Sequence, residues 1–175
     1  MKTWKLDPTH SEIKFKVKHL VVSTVTGQFG TFSAQLETNN SDFVEASVTF
    51  EADVNSIHTG IEKRDGHLKS PDFFDAENFP KISFISKSFK KNSGSEYSLI
   101  GDITIRGITK EIKLDVNYAG TVKGFGGSYD VAVFEVSGKL RRLDFGLQWN
   151  GLTETGGVVV SDEVKLEIFA EFLEG

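Results

Sequence analysis

The sequence predicts a single antiparallel, all-β domain over residues 1–175. Apolar and polar residues alternate over most of the chain, as they do in strands with one dry face and one solvated face. The alternating runs are short and are separated by turn residues such as glycine, asparagine and serine. A chain of 175 residues is also long enough for one domain with a sizeable core.

Eight alternating runs are the predicted strands, and each places its apolar residues on one face. The first run is the clearest, because Ile13, Phe15 and Val17 alternate with lysines. A short β-branched run, 21–26, follows it. The predicted strands are 11–19, 28–38, 44–54, 82–89, 97–105, 112–118, 131–140 and 158–173. Alternation fits a sandwich and a barrel equally well, although closure would remove exposed sheet edges. An eight-stranded barrel is about the size that holds one small ligand.

The alternation stops over residues 51–80, where the sequence predicts a short helix and then a loop. Thr59 is the predicted N-cap, because Glu62 follows it at the spacing of a capping box. Gly66 costs about 1 kcal/mol relative to alanine, so the predicted helix is marginal. Pro71 is expected to end it.

Large apolar rings occur in both segments that interrupt the strands. Phe73 and Phe74 fall in the loop after the predicted helix, and apolar rings in a loop need a surface to cover. The second interruption, 141–151, contains Phe145 and Trp149, which we expect to form the other half of the same cover. The chain has 15 Phe but 3 Tyr and 2 Trp, a composition that suits an ordinary core and also the wall of an apolar cavity.

Charge, cysteine content and hydropathy argue against several classes of protein. The formal net charge is −5, from 20 basic and 25 acidic residues, which gives no electrostatic reason to expect a nucleic-acid partner. No apolar run approaches the roughly 18 residues of a transmembrane helix. Without cysteine the chain forms no disulfide and no thiolate metal site. The first residues lack the apolar segment of a signal peptide, so we expect a cytoplasmic protein, or a periplasmic one if a leader was removed.

Two groups of polar residues are candidates for chemistry. Arg64, Asp65 and His67 form the denser group, which suits a headgroup-binding or general-base site. It equally suits capping and exposed ion pairs on a short helix. Arg142 and Asp144 form the second group, which a barrel could bring to the same end as the first.

The four histidines lack the spacing of a metal site, so the sequence predicts neither a metal nor a cofactor. His19 is in phase with Phe15 and Val17 and therefore faces the interior or its rim. It would contact the polar end of a ligand there, or serve as a core histidine. The sequence has no G-x-S-x-G nucleophile elbow and no paired carboxylates of a hydrolase.

Motifs spread over most of the chain resemble, in order, those of the YceI-like family. They are Asp7-x-x-His10-Ser11-x-Ile13-x-Phe15-x-Val17-x-His19, Gly27-x-Phe29, Asp53, Ser56-Ile57-x-Thr59-Gly60, Arg64-Asp65-x-His67-Leu68, Asp72-Phe73-Phe74, Pro80-x-Ile82-x-Phe84, Gly107-Ile108-Thr109-Lys110 and Arg142-x-Asp144-Phe145-Gly146. The resemblance implies a lipocalin-like, eight-stranded antiparallel barrel with a short helix, a covering loop and an elongated apolar cavity. Family members are described as binding polyisoprenoid chains, such as isoprenoid quinones or polyprenyl lipids, and many are secreted to the periplasm. The family pattern brings no catalytic residues, so it implies a binding protein and not an enzyme, with a homodimer as one expected assembly.

The predicted function is to carry or store a long apolar isoprenoid lipid inside the barrel. The predicted lipid-binding residues are Phe15, Val17, His19, Phe32, Val48, Phe50, Leu68, Phe73, Phe74, Phe84, Ile103, Leu114, Phe134, Val136, Phe145 and Trp149. The predicted headgroup residues at the rim are Arg64, Asp65, His67, Arg142 and Asp144. Two alternatives remain open at this point. One is an enzyme that acts on a lipid through Asp65 and His67, and the other is a filled-core β-domain that binds a partner.

Overall fold

The structure, a computed structural model, describes residues 1–150 and 159–175. These residues form eleven strands in one sheet and one α-helix. The strands are β1 Lys2–Leu6, β2 Glu12–His19, β3 Ser23–Phe29, β4 Phe32–Thr38, β5 Ser47–Asp53, β6 Ile57–His58, β7 Lys81–Ser93, β8 Glu96–Ile105, β9 Ile108–Lys123, β10 Asp130–Arg141 and β11 Val160–Glu174. The helix α1 is Glu62–Lys69. The predicted start of the last strand, residue 158, lies outside the described residues.

The sheet closes into an antiparallel barrel of eight strands, as predicted. The order around the ring is β1-β4-β5-β7-β8-β9-β10-β11, and β11 returns to β1 through the pair Trp4 and Glu174. Closure removes most of the free edges that an open sheet of this width would expose. Of the two architectures that fit the alternation, the structure is therefore the barrel.

Three of the eight strands are interrupted, which explains why eleven segments build an eight-stranded ring. Both β1 and β2 pair with β11. β1 pairs with the last residues of β11, and β2 pairs with residues 160–169 of β11. They therefore act as one strand broken at residues 7–11. In the same way β3 continues into β4 after a bend at residues 30–31, and β5 continues into β6 after a short 3₁₀ turn at Val54–Ser56. The three strands lie next to each other.

An aromatic cluster closes the end of the barrel near β1, which we call the plugged end. Its centre is Phe43, whose ring contacts those of Trp4, Tyr118 and Phe134, each with a centroid distance of 5.2 Å. Phe43 reaches this position because its φ is 63°, a left-handed conformation that turns the chain inward. The predicted strand 44–54 is therefore shorter in the structure and begins at Ser47.

The helix differs from its prediction at its first residue. The N-cap residue is Ile61 and makes no side-chain capping bond, so the predicted capping box with Thr59 is wrong. The hydroxyl of Thr59 instead donates to Asp65, within the helix. The helix ends at Lys69, two residues before Pro71, as the proline predicts.

None of the helices within the described residues has the length and hydropathy that a membrane crossing requires.

Candidate functional site

An apolar cavity of about 230 Å³ lies inside the barrel. Inward-facing residues of the strands form its wall, together with side chains from α1 and from the loop that follows it. Of the predicted lipid-binding residues, those on the wall are Phe15, Val17, Val48, Phe50, Leu68, Phe73, Phe74, Phe84, Ile103, Leu114, Phe134 and Val136. The interior of the barrel therefore holds space with an apolar lining along most of its length.

Two of the phenylalanines on the wall lie against glycines. A Cβ at Gly27 would overlap the ring of Phe15, and the two residues are paired across β2 and β3. A Cβ at Gly101 would overlap the ring of Phe84 in the same way. Because glycine leaves the inner face of a strand bare, each ring can lie flat along the wall. The rings therefore line the cavity without filling it.

Four predicted lipid-binding residues are not among the described residues of the wall. His19 is the last residue of β2, and Phe32 is the first residue of β4 after the bend. Because both lie at strand ends, their side chains lie beyond the described wall of the cavity. Phe145 is fully buried in the core behind the wall. Trp149 packs on the outer side of Phe73, with ring centroids 5.5 Å apart, and so forms a second layer.

The wall also includes residues that were not singled out from the sequence. They are Leu6, Ile13, Phe29, Ala34, Leu36, Ala52, Ile82, Phe89, Leu99, Ile105, Ile112, Val116, Leu140, Leu147, Val160, Val164, Leu166, Ile168, Ala170 and Phe172, with the charged residue Lys14. Arg142, a predicted headgroup residue, also lies on the wall. Most of the apolar ones share the phase of the predicted residues. The signal was therefore present in the alternation, which places large residues such as Phe89 and Phe172 on the wall as well as small ones such as Ala52.

Two loops close the opposite end of the barrel, which we call the covered end. One loop follows α1 and carries Phe73 and Phe74, and the other follows β10 and carries Trp149. Arg106, in the turn after β8, joins the two loops by donating to the carbonyls of Pro71 and Gly146. The prediction that both interruptions of the strand pattern lie at one end is thus consistent with these contacts.

Arg142 is the charged side chain of the wall that is itself buried, with 5% of its surface exposed. Its Nε donates to the carbonyl of Ser161 at 2.8 Å, and its Nη2 donates to that of Val160 at 3.1 Å. Its Nη1 donates to the carbonyls of Leu147 at 2.6 Å and Trp149 at 2.8 Å. The guanidinium therefore fastens the second covering loop to the first residues of β11.

Burial lowers the pKa of Arg142, while the nearby charge of Asp162 raises it. No carboxylate in the described residues lies within ion-pairing distance of Arg142, and Asp162 pairs with Arg141 at 2.6 Å. Asp144 is exposed and does not belong to the described wall, so its predicted role as a headgroup residue at the rim stays a prediction. The wall of the cavity consequently carries a buried positive charge that carbonyl oxygens solvate.

Arg64 and Asp65 lie outside the described wall, so their predicted role as headgroup residues at the rim stays a prediction. Asp65 is buried and accepts hydrogen bonds from the backbone N–H of Thr59 at 2.8 Å and from its hydroxyl at 2.5 Å. Arg64 donates from Nε to the Thr59 hydroxyl oxygen and from Nη2 to the Thr59 carbonyl. The two side chains tie the segment before α1 to the helix.

The pKa of Asp65 lies below its ordinary value. Burial acts to raise this pKa, but the two hydrogen bonds from Thr59 and the charges of His58 and Arg64 outweigh it. A lowered pKa in the folded state stabilises the fold above the unfolded value of about 3.9 and loses that effect as the pH falls through the folded value.

We expect Asp65→Asn to destabilise the protein by about 1–2 kcal/mol at neutral pH, because the isosteric amide keeps the shape but loses charge-assisted hydrogen bonds. The difference should shrink as the pH falls through the lowered pKa of Asp65, because the carboxyl of the parent protein then becomes protonated as well. Urea unfolding of both proteins across this pH range measures the difference in their free energies of unfolding. A difference that stays constant with pH would show that the carboxylate charge is not the cause.

His67 lies on the outside of the covered end. Its Nε2 is 2.8 Å from Asp72, and its ring stands edge-on to those of Phe73 at 5.1 Å and Trp149 at 4.8 Å. His67 is not among the described wall residues, and its predicted role as a headgroup residue at the rim stays a prediction. Asp65 has its contacts with Thr59 and His58, and the acid–base pair of Asp65 and His67 is not formed.

A group of possible metal ligands lies at the break between β1 and β2. The ligand atoms of Asp7, His10 and Glu171 lie within 4.8 Å of one another. His10 Nδ1 is 2.7 Å from Asp7, and this hydrogen bond raises the pKa of His10 and lowers that of Asp7. An exposed ion pair accounts for these contacts, so the prediction of no metal site stays a prediction.

Comparisons with known proteins place the chain in a family. A family model described as a YceI-like domain matches residues 4–172. A UPF0312 protein of Staphylococcus aureus is 40% identical over 172 residues, 98% of both chains, and one of Staphylococcus epidermidis is 39% identical over the same length. The matching segment thus includes every strand of the barrel.

Solved structures show the same fold. The Campylobacter jejuni YceI protein has a TM-score of 0.76 and 30% identity over 90% of both chains. Burkholderia cenocepacia BcnA has a TM-score of 0.82 and 22% identity, with 95% of this chain and 98% of that chain covered. A polyisoprenoid-binding domain of Saccharophagus degradans, implicated in plant cell wall breakdown, has a TM-score of 0.68 and 17% identity over 98% of both chains. With its sequence match and its barrel, the chain belongs to the YceI-like family.

Proposed function

We propose that this protein binds an isoprenoid-type lipid inside the barrel and carries or stores it. The observation that supports the proposal most strongly is the apolar cavity of about 230 Å³, which runs among inward-facing side chains of nearly every strand. A filled core would leave no such space, so the cavity argues against the filled-core alternative. The polyisoprenoid-binding domain with the same fold supports the choice of ligand class.

The size of the cavity limits the length of the buried chain. A cavity volume of about 10–15 Å³ on the same scale is enough to hold one water molecule. A methylene group and a water molecule occupy similar volumes, so a cavity of 230 Å³ holds roughly fifteen to twenty carbon atoms. That length corresponds to about three or four isoprene units. A longer ligand would have its remainder outside the barrel or would need the wall to move.

Burial of such a chain provides enough free energy for stable binding. Each buried methylene contributes about 0.8 kcal/mol, so roughly fifteen carbons contribute on the order of 12 kcal/mol before costs. Ordering the chain and losing its free motion offset a large part of this gain. The binding free energies of two chains that differ by one methylene differ by only about 1–3 kcal/mol at an apolar wall, so selection among hydrocarbon chains is expected to be weak.

Arg142 is the proposed contact for the polar end of the ligand. A guanidinium has five N–H donors, and four of those of Arg142 bond to backbone carbonyls. The remaining donor is suited to one oxygen acceptor, such as a quinone carbonyl or a phosphate oxygen. Placing the acceptor at Arg142 orients the chain, with its tail towards the plugged end.

We further propose that the protein is not an enzyme. His67 pairs with Asp72 on the outside of the covered end, and Asp65 is engaged by Thr59. No acid–base pair among the described residues faces the cavity. The absence of a nucleic-acid partner, the homodimer and the cytoplasmic location stay predictions of the sequence, which binding assays, sedimentation and cell fractionation test.

A series of prenols tests the proposed function. We expect geraniol, farnesol and geranylgeraniol to displace a fluorescent apolar dye with affinities that rise at least tenfold with each added isoprene unit. A net gain of about 1.4 kcal/mol in binding free energy for each unit is enough for a tenfold increase in affinity. Solanesol should bind no more tightly than geranylgeraniol, because the cavity is then full. Prenols that fail to displace the dye, or affinities independent of chain length, would contradict the proposal.

A further inference from the structure

The turn between β2 and β3 exposes three consecutive apolar side chains. Leu20, Val21 and Val22 are 44%, 74% and 85% exposed, and we call them the hairpin tip. Single exposed apolar residues are common on protein surfaces, whereas three at the end of a projecting hairpin form a small apolar knob. None of the three side chains belongs to the hydrophobic core of the described residues, so their stabilising role in the isolated fold is small.

The backbone of the hairpin tip is also in an unfavourable conformation for its residues. Leu20 has a φ of 54° and Val21 a φ of 67°. Tight hairpin turns with positive φ strongly favour glycine, asparagine and aspartate, and a β-branched residue such as valine is disfavoured there. An asparagine or a glycine would suit the turn better and would be soluble. Apolar residues that are unfavourable for the turn and exposed to water indicate a role in binding.

The strand that leads into the hairpin tip carries three lysines. Residues 13–36 contain Lys14, Lys16 and Lys18 and no aspartate or glutamate. Lys14 and Lys16 pair with glutamates that lie outside this segment, and Lys18 donates to the hydroxyl of Thr24 at 3.1 Å. Apolar side chains flanked by lysines are the arrangement that inserts into the interface of a bilayer with anionic lipids. Lys18, two residues before the hairpin tip, would remain at the headgroup level while the apolar groups enter the acyl region.

The hairpin tip lies beside the covered end of the cavity. The N–H of Leu20 donates to the carbonyl of Val159 at 2.8 Å, and His19 is paired with Val160 at the start of β11. Val160 is a wall residue, and its carbonyl accepts from Arg142. A bilayer that receives the hairpin tip would therefore contact the loops that close the cavity.

We propose that the hairpin tip inserts into the surface of an anionic lipid bilayer and docks the covered end against it. The docking gives a lipid ligand a short path between the bilayer and the cavity, without exposure of its chain to water. The path rests on the proposed function, whereas the docking itself depends on the hairpin tip and its lysines. The two parts can therefore fail separately.

Flotation with lipid vesicles tests the docking. The protein is mixed with vesicles of equal parts phosphatidylglycerol and phosphatidylcholine, and with vesicles of phosphatidylcholine alone. We expect the parent protein to float with the anionic vesicles and at least fivefold less with the neutral ones. The double variant Val21→Asn, Val22→Ser should lose at least fivefold of the bound fraction. Asparagine tolerates positive φ, so this variant is expected to fold.

Phe125 offers a matched control, because it is 95% exposed in the turn between β9 and β10, at the opposite end of the barrel. We expect Phe125→Ser to float like the parent protein. Equal flotation of the double variant and the parent protein, or no flotation of either, would overturn the docking. Sedimentation that shows a dimer of the parent protein and a monomer of the double variant would assign the hairpin tip to a second copy instead. Dye displacement by farnesol, measured without vesicles, tests the proposed function independently and should not change in the double variant.

Discussion

Replacing Arg142 with alanine is expected to destabilise the protein by at least about 3 kcal/mol, because several buried carbonyls lose their donor at once. The carbonyls of Leu147, Trp149 and Ser161 accept from the guanidinium, while that of Val160 retains a second donor in Asn150. Each buried acceptor left without a partner costs about 1–3 kcal/mol. Some of these carbonyls are partly exposed, so water can replace part of the lost hydrogen bonding.

Arg141 is the matched control for this experiment, because it is the neighbouring arginine and points to solvent. It pairs with Asp162 at the surface, and exposed ion pairs contribute little to stability. Urea unfolding at equilibrium should therefore show a large decrease for Arg142→Ala and little change for Arg141→Ala. Arg142→Lys should remain strongly destabilised, because an ammonium does not reproduce the planar fork of donors. Equal midpoints for the two alanine variants would contradict the assigned role of Arg142.

Replacing Val136 with tryptophan is expected to lower the affinity for a prenol at least a hundredfold. Val136 is a half-buried wall residue in the middle of β10, and its side chain borders open space. An indole there takes up room for about one isoprene unit, whose burial is worth roughly 4 kcal/mol before offsets. Dye displacement by farnesol measures the change.

Ile85→Trp is the control for the cavity-filling variant, because Ile85 belongs to β7 but is exposed on the outside of the barrel. It introduces the same indole without reducing the cavity and should leave farnesol affinity unchanged. The stability of Val136→Trp should stay within a few kcal/mol of the parent protein, since the ring enters empty space. Unchanged affinity in a folded Val136→Trp would show that the ligand does not occupy the barrel interior.

The sequence predicted the strands and much of the cavity wall because both depend on local periodicity. A two-residue period determines which side chains face inward, and it placed residues such as Phe15, Phe50 and Phe134 correctly on the wall. Closure of the sheet could not be predicted from periodicity. It depends on pairing between Trp4 and Glu174, and alternation carries no information about the partner of a strand. The family resemblance supplied that step.

Neighbouring positions in the chain were a poor guide to the cavity. Arg64, Asp65 and His67 are close in sequence because they belong to one short helix, and their partners are the nearby residues Thr59 and Asp72. They stabilise the covered end from outside. The plug at Phe43 was missed for a related reason. Its position depends on a positive φ that nothing in the residue type indicates.

The measurement that tests the central claim most directly is mass spectrometry of an organic extract from natively expressed protein purified without detergent. The proposed function predicts close to one prenyl lipid or isoprenoid quinone per protein molecule, and a much smaller amount from Val136→Trp. An empty extract, from protein that also takes up no added farnesol or geranylgeraniol, would contradict it.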